Sequence, residues 1–256
     1  MMRDLNTSVI MSFFRKMKDF RRVLPLHAHY LNRKGIEVII AMDEPTEYEE
    51  LLEFVKDFSD INWKIIVNEQ EHEWRNPCKA WNVAIRHATK DNIMVIDPEC
   101  QMVTDAIENL SNILDSNYPC FTVGQVLFVD FDYHYRANDI NEILEPLYYG
   151  TIMAKRADIE RICGYTESYS IWGGEDDNLR AKLELIGRKK IEVDPVLVLH
   201  REDDKNGLSK RIDKSSSLPK ELFNKSFSPE EEDFINPNWG RDFNEVKFNS
   251  SFSIHS

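Results

Sequence analysis

Short apolar segments and longer amphipathic segments alternate along the first hundred residues of the chain. The short segments are rich in Val, Ile, Met and Phe, as buried strands of parallel sheets are, and we predict a strand at each. They are Thr7–Phe14, Ile36–Met42, Trp63–Val67 and Ile93–Ile96. Helices are predicted between them, one ending near Leu31, one at Tyr48–Phe58 and one beginning at Pro77. This alternation predicts an α/β fold with a mostly parallel open sheet flanked by helices.

The second half of the chain has a more mixed pattern. We predict a helix at Thr104–Leu114 and strands at Phe121–Phe131, Tyr149–Ala154 and Lys190–His200. Another helix is predicted after the three acids at positions 175–177, because apolar residues follow at helical spacing and Gly187 is placed as a C-cap. Beyond His200 the chain is polar and contains scattered Pro, Asn and Ser residues, although Trp239 indicates that part of it packs against something.

Composition and charge narrow the function classes. The 256-residue chain carries 32 basic and 45 acidic residues, a formal net charge of −13, which argues against nucleic acid as a partner. No apolar run approaches the roughly 18 residues that span a bilayer, and residues 1–8 lack the apolar core of a signal peptide. The four cysteines are widely spaced, so we expect reduced thiols and a cytoplasmic protein.

Several candidate site residues directly follow predicted strands. Because ligands of open α/β sheets bind at the carboxyl ends of the strands, we expect Phe14, Arg15, Asp43 and Asp97 to meet in one crevice. Asp97 and Glu99 flank Pro98, and in extended backbone residues i and i+2 point the same way, so both can reach one hard cation. The alternative interpretation is that Asp97-Pro98-Glu99 forms an ordinary turn after the strand and binds no metal.

His200 ends the last apolar strand and would complete an N/O site for Mn²⁺ or Mg²⁺, although a lone histidine there is more often structural. Three cations lie beside crevice segments and can neutralise a diphosphate, unless they are ordinary surface charges. They are Arg15, Arg75 and Lys79.

The segment Trp172–Asp177, of sequence Trp-Gly-Gly-Glu-Asp-Asp, carries the strongest signal. Its aromatic ring can stack on a hexose, and Gly173 and Gly174 permit a sharp turn that leaves room for a ligand. Acids at a helix start also complement the helix dipole, but three of them behind Trp-Gly-Gly exceed what capping needs.

With these residues the chain resembles glycosyltransferases of the GT-A fold, in the β-1,4-galactosyltransferase-like branch and its bacterial family 2-like relatives. The resemblance covers residues 7–200 in the family's order. Its blocks are Ser12–Arg15, Asn76–Ala84 running into Asp97–Glu99, Tyr148–Tyr165, and Trp172–Asp177 on to His200. It implies one catalytic domain over residues 1–207, with a nucleotide-binding half (about 1–100) and an acceptor and catalytic half (about 101–207). Residues 208–256 would form an extension packed on the core or partly flexible.

The resemblance also implies roles for single residues. Asp176 matches the general base, and the acceptor would be held by Trp172, Gly173, Gly174, Glu175 and Asp177. Asp97 and Glu99 resemble the family's Asp-x-Asp element, with Asp97 near the ribose and Glu99 on the metal, and His200 closes the metal site. The donor would be held by Phe14, Arg15, Asp43, Arg75, Lys79, Asp97, Tyr148 and Thr151.

The implied reaction is inverting transfer of a hexose or N-acetylhexosamine from a UDP-sugar to a glycan hydroxyl, with Mn²⁺ or Mg²⁺ as cofactor. The implied setting is bacterial polysaccharide assembly in the cytoplasm, at or near the inner face of the membrane. Two departures matter: Glu99 is longer than the family's second Asp, and Leu197 replaces a Met that can ligate the metal. These departures keep a catalytically silent sugar-nucleotide or glycan-binding module as an alternative. A retaining transferase is a second alternative, although the Asp176-Asp177 pair favours inversion.

Overall fold

The computed structural model describes residues 4–71, 77–134, 148, 151–169, 173–202, 228–241 and 246–247. In the first half, the strands are β1 (Thr7–Phe13), β2 (Ile36–Met42), β3 (Trp63–Asn68), β4 (Asn92–Val95) and β5 (Cys100–Met102). The helices between them are α1 (Met17–Leu31), α2 (Tyr48–Val55) and α3 (Pro77–His87), and a 3-10 turn, Lys56–Phe58, continues α2. Each strand and helix predicted for this half is therefore present, and the three-residue β5 was not predicted.

The second half contains α4 (Ala106–Asn117), β6 (Cys120–Asp130), β7 (Ile152–Lys155), α5 (Arg156–Arg161), α6 (Glu175–Leu185) and β8 (Lys189–Glu202). Near the end of the chain are a 3-10 turn, Glu231–Phe234, and the two-residue strand β9 (Val246–Lys247). The short helix α5 was not predicted. Strand β7 begins at Ile152, and the earlier part of the predicted strand, residues 149–150, lies outside the described residues.

All nine described strands form one sheet in the order β5-β8-β6-β7-β4-β1-β2-β3-β9. The open α/β fold is confirmed, but the sheet is more mixed than predicted. Strands β4, β1, β2 and β3 pair in parallel, as do β6 and β8, whereas β7, β5 and β9 pair antiparallel with their neighbours. The difference arises because β5, β7 and β9 are short strands outside the βαβ units on which the prediction rested.

Helices cover both faces of the sheet. Alternate residues of β1 point to opposite faces, so Val9, Met11 and Phe13 join one buried cluster and Ile10 joins the other. The first cluster includes the apolar faces of α1, α2 and α4, and the second those of α3, α5 and α6. Burial on both faces explains why strands such as Ile36–Met42 are apolar almost throughout.

The strand order brings the predicted functional segments together. Strand β1 lies between β2 and β4 and runs parallel to both, so their carboxyl ends, at Phe13, Met42 and Val95, meet at one edge of the sheet. The segment after β4 then turns into β5, which pairs with β8 so that Cys100 lies opposite His200. This single antiparallel contact joins parts of the chain one hundred residues apart.

The described part of the C-terminal segment packs against the second cluster. Trp239 is buried in it, and the Arg86 guanidinium donates a hydrogen bond to the Trp239 carbonyl over 3.3 Å. The Gly240 N–H donates to Glu167 Oε1 at 2.7 Å. Among the described residues, no helix is long and apolar enough to cross a membrane.

The buried lysine of α6 makes folding stability depend on pH. Lys182 donates hydrogen bonds to the Gly164 carbonyl at 2.7 Å and to Thr166 Oγ1 at 3.4 Å, and burial lowers its pKa from 10.5 to about 8. Between pH 8 and pH 10.5 Lys182 binds more protons in the unfolded chain than in the folded one, so the free energy of unfolding rises with pH in this range. Below about pH 8 the lysine is charged in both states, and the cost of burying its charge is fully present.

We therefore expect the free energy of unfolding of the wild type, relative to Lys182→Met, to increase by about 2 kcal/mol from pH 7 to pH 9.5. Urea unfolding of both proteins at the two pH values measures this difference. A difference that is the same at both pH values would contradict the assignment.

Candidate active site

Three potential metal ligands lie together where β4 ends and β5 pairs with β8. They are Asp97, Cys100 and His200, and one ligand atom from each lies within 4.8 Å of the others. Cys100 and His200 are buried, and Asp97 is partly exposed. His200 Nε2 is 3.9 Å from Asp97 Oδ2. A carboxylate and an imidazole suit Mn²⁺ and related divalent ions, and the thiol adds a softer ligand.

Glu99 lies beside this cluster, with Oε1 at 3.5 Å from His200 Nε2 and 2.5 Å from the Lys16 ammonium. Burial by itself would raise the pKa of Glu99, but the positive charges of Lys16 and His200 outweigh it and lower that pKa to about 2. Its second oxygen, Oε2, is buried and accepts no hydrogen bond in the described part of the structure. A cation here would offset the cost of burying that oxygen, so the residues present fit a divalent ion.

A narrow pocket adjoins the cluster and contains the predicted general base. Asp176 and Asp97 both line it, together with Trp81, Val95, Thr151, Ile152 and Arg180. The two acids come from the start of α6 and from the segment that follows β4, so these two parts of the chain face one cavity. After burial, which is the larger cause, the negative charge of Asp176 raises the pKa of the neighbouring Tyr165 phenol well above its usual value.

The three consecutive acids at the start of α6 have different environments. Glu175 accepts a hydrogen bond from the Gly173 N–H at 2.8 Å, which is a structural contact within the turn. Asp177 lies 3.8 Å from the Arg180 guanidinium one turn along the helix. Of the three, only Asp176 lines the pocket. Glu175 and Asp177 thus make contacts within the helix start, and Asp176 is the one of the three that faces the cavity.

The two glycines before these acids hold the turn that aims α6 at the pocket. Gly173 and Gly174 have φ angles of 109° and 88°, values that side chains with a Cβ rarely adopt. Any other residue at either position would strain the turn. Trp172, the aromatic residue predicted to contact sugars, lies outside the described residues.

The predicted nucleotide-binding residues lie at the carboxyl ends of β1 and β2. The Asp43 N–H donates to the Phe13 carbonyl at 2.8 Å, and the Asp43 carbonyl accepts from Asn68 Nδ2 at 3.1 Å. The guanidinium of Arg15 lies over the Phe14 ring at 5.0 Å and 3.4 Å from Glu44 Oε1. Phe14, Arg15 and Asp43 therefore occupy neighbouring strand ends, as predicted from the strand pattern.

The remaining predicted donor residues are more dispersed. Thr151 lines the pocket with Asp97 and Asp176, and Lys79 lies in the first turn of α3, two residues before the pocket residue Trp81. The Tyr148 hydroxyl instead donates to Asp194 Oδ1 at 2.6 Å and accepts from Gln125 Nε2 at 3.2 Å. Tyr148 is not among the described residues that line the pocket. Arg75 lies outside the described residues.

Four residues of the site were not predicted from the sequence. Lys16 directly follows Arg15 after β1, so its position at a strand end was a signal for it. Arg180 follows Asp176 by one helical turn, so helical spacing was a signal for it. Trp81 fits the apolar face of α3, so the sequence pattern indicates only a buried core residue there. Cys100 was assigned as an ordinary thiol, because its proximity to His200 depends on the β5–β8 pairing.

Comparisons with known proteins agree with this architecture. Residues 8–169 match the family model described as "Glycosyl transferase family 2". A sequence search among curated proteins finds no match. Similar solved structures include S. aureus TarS 1–349 in complex with UDP-GlcNAc (TM-score 0.58, 14% identity, covering 79% of this chain and 60% of that one).

Two further structures show the same fold similarity. One is the mannosyltransferase PcManGT from Pyrobaculum calidifontis in complex with GDP-Man and Mn²⁺ (TM-score 0.58, 19% identity, covering 82% of this chain and 60% of that one). The other is GalNAc-T7 with UDP, GalNAc and Mn²⁺ (TM-score 0.57, 16% identity, covering 78% of this chain and 43% of that one). The chain thus spans less than two thirds of the length of these neighbours. Since the family model matches more than half of the chain and the sheet matches GT-A transferases, the chain belongs to glycosyl transferase family 2 and has the GT-A fold.

Proposed function

We propose that this protein is an inverting, divalent-metal-dependent glycosyltransferase that moves a hexose or N-acetylhexosamine from a UDP-sugar to a hydroxyl of a glycan or sugar acceptor. One observation carries the proposal: Asp97 lines the same pocket as Asp176 and also lies 3.9 Å from His200. A proton acceptor and a cation site therefore face one cavity, which is what transfer from a sugar diphosphate requires.

In this mechanism Asp176 takes the proton of the acceptor hydroxyl as it attacks the anomeric carbon. The carboxylate suits this role because its neighbours Glu175 and Asp177 are engaged in contacts within the helix start, whereas Asp176 lines the pocket. Positioned proton transfer of this kind contributes about 10²–10⁴-fold to the rate.

On the donor side, negative charge accumulates on the leaving diphosphate. Asp97, Glu99 and His200, with Cys100 as a further ligand, would hold a Mn²⁺ or Mg²⁺ ion, which when bound supplies positive charge beside the diphosphate. Arg15, whose side chain is about half exposed, would contact the diphosphate directly. Lys79 and Arg75 are proposed to assist, and Phe14 and Asp43 to contact the nucleoside.

Acceptor binding is assigned to the segment at the start of α6. Trp172 would stack on a sugar ring, Gly173 and Gly174 would leave room for it, and Glu175 and Asp177 would hold acceptor hydroxyls in addition to their contacts in the helix start. Tyr148 and Thr151 are assigned to the donor sugar. For Tyr148 this requires its hydroxyl to leave Asp194 or Gln125 when the donor binds.

The setting of the reaction is part of the same proposal. The four cysteines are free thiols, which supports a reducing compartment such as the cytoplasm. Polysaccharide assembly in a bacterium, with the protein near the inner face of the membrane, is proposed from the resemblance. The net charge of −13 supports a sugar acceptor over a nucleic acid.

A thermal-shift screen of sugar nucleotides tests the proposal. With Mn²⁺ present and a UDP-hexose at about 100 times its Kd, binding adds about 2.7 kcal/mol of stability and raises Tm by several degrees. UDP-galactose, UDP-glucose, UDP-N-acetylglucosamine and GDP-mannose are compared with and without Mn²⁺. Stronger stabilisation by GDP-mannose, or equal stabilisation without Mn²⁺, would contradict the proposed donor or the metal dependence.

Two further measurements separate the alternative functions. The anomeric configuration of the product, read by NMR, distinguishes inversion from retention. Release of UDP from the donor without any acceptor identifies an active enzyme, because a silent sugar-binding module would leave the donor intact.

A further inference from the structure

Two residues that line the pocket between Asp97 and Asp176 each carry a buried polar atom with no hydrogen-bond partner in the described part of the structure. These atoms are the indole Nε1 of Trp81 and Oγ1 of Thr151. The two residues are 3% and 0% exposed. Buried polar atoms in folded proteins are nearly always paired, since each unpaired one costs stability. Two such atoms on residues of one pocket therefore call for partners from outside the protein chain, either a water molecule or a polar group of a ligand.

The fold holds both side chains in place without satisfying them. The Trp81 ring lies against the Tyr165 ring, with centroids 4.7 Å apart, and Trp81 belongs to the apolar cluster beneath α3. The backbone of Thr151 is fixed at the start of β7, where its carbonyl accepts a hydrogen bond from the Gly124 N–H at 3.0 Å. Packing and backbone contacts therefore hold both side chains in place.

The size and chemistry of the pocket limit what it can accept. Its cavity volume is about 10 Å³, which is room for a group the size of a water molecule. The indole N–H can only donate a hydrogen bond, the threonine hydroxyl can donate and accept, and the flanking carboxylates accept. A sugar hydroxyl, which is small and both donates and accepts, matches this set.

We propose that Trp81 Nε1 and Thr151 Oγ1 bind a single hydroxyl group of the donor sugar and thereby select donors that carry a free hydroxyl at that position. The inference rests on the proposed function, because it takes the pocket to be the donor-sugar site. Trp81 thus becomes a specificity-determining residue. A site built to hydrogen-bond a hydroxyl rejects analogues that lack it, because its own polar groups would then stay unpaired.

Trp81→Phe and Thr151→Val test the proposal, since each removes the polar atom and preserves much of the shape. We expect the affinity for the UDP-hexose that stabilises the wild type most to fall about tenfold in each variant, while the affinity for UDP is unchanged. For Thr151→Val, which is nearly isosteric, the Tm without ligand should stay equal or rise, because an unpaired buried polar atom is lost. Calorimetric titration with UDP-galactose, UDP-glucose, UDP-N-acetylglucosamine and UDP provides the affinities.

Trp63→Phe is the matched control. The indole of Trp63 donates to the Phe58 carbonyl at 3.0 Å, so its removal should lower Tm and leave the affinity for the UDP-hexose unchanged. The UDP-hexose affinity, which should fall in Trp81→Phe and stay unchanged in Trp63→Phe, separates a ligand-binding indole from a structural one.

Deoxy donors identify the hydroxyl. For the UDP-hexose analogue that lacks it, wild type and Trp81→Phe should bind with the same affinity, whereas analogues lacking any other hydroxyl should still bind the variant about tenfold more weakly. Unchanged UDP-hexose affinity in both variants, or an equal loss for UDP and UDP-hexose, would overturn the inference while leaving the transferase proposal intact. A wild type that binds neither UDP nor any UDP-hexose would instead overturn the proposed function, and this inference with it.

Discussion

Replacing Asp176 with asparagine is expected to lower the rate of sugar transfer by about 10²–10⁴-fold and to leave the affinity for UDP unchanged. The amide nearly matches the carboxylate in shape but cannot take the acceptor proton. Because Asp176 lines the pocket from the start of α6, the substitution should not disturb the turn held by Gly173 and Glu175. Initial rates of UDP release with acceptor, and titration with UDP, measure the two quantities.

Glu184→Gln provides the control for this prediction. It makes the same kind of change on the same helix, at an exposed position away from the pocket, and should leave the transfer rate within about twofold of the wild type. If Asp176→Asn kept more than about a tenth of the wild-type rate, Asp176 would not be the base. If its UDP affinity fell together with the rate, Asp176 would act in donor binding instead.

The main elements of the fold were predictable because burial dictates their composition. Strand β2 was predicted to the residue, since all seven of its residues are buried and six of them are apolar. Strand β5 and helix α5, with three and six residues, are too short to show a period. The existence of β5 depends on pairing with β8, which lies a hundred residues away in the chain, and no local pattern records that pairing.

The site was predictable where it depends on strand ends and was missed where it depends on register. Asp97 follows an apolar strand, so its place at this edge of the sheet follows from the general rule for open α/β sheets. His200 also ends an apolar run, but it comes close to Asp97 through the pairing of β5 with β8. Cys100 joins them only because β5 and β8 pair in one particular register. The three acids at the start of α6 look equivalent in the sequence. Only the folded structure shows that Asp176 lines the pocket while Glu175 and Asp177 make contacts within the helix start.

Trp81 shows a different limit of sequence reasoning. Its position on the apolar face of α3 correctly predicted burial, and the ring packs in the second cluster. Burial and a polar function are compatible in an indole, because one edge carries an N–H while the faces are apolar. The periodicity of apolar residues predicts only that a side chain is buried, and it does not show whether the indole N–H has a hydrogen-bond partner.

The second large effect is expected at the cation site. Replacing His200 with alanine, or Asp97 with asparagine, should weaken Mn²⁺-dependent binding of UDP by at least about 100-fold, since changing even the groups that support metal ligands costs 10–100-fold. For His200→Ala, binding of UDP measured with a chelator present should be much less affected, because the base and ribose contacts do not need the ion. Titration of UDP with Mn²⁺ and with the chelator separates the two contributions.

Cys100 and Glu99 refine that test, because both lie near His200 and they differ in chemistry. Glu99 is 3.5 Å from His200 and paired with Lys16, whereas the Cys100 thiol belongs to the three-residue ligand cluster. If Mn²⁺ is held chiefly by oxygen and nitrogen, Glu99→Gln should weaken Mn²⁺-dependent UDP binding more than Cys100→Ala does, because a thiol is a poor partner for that ion. The reverse order would mean that the site is built for a softer ion such as Zn²⁺, and unchanged UDP affinity in all four variants would remove the cation from this part of the fold.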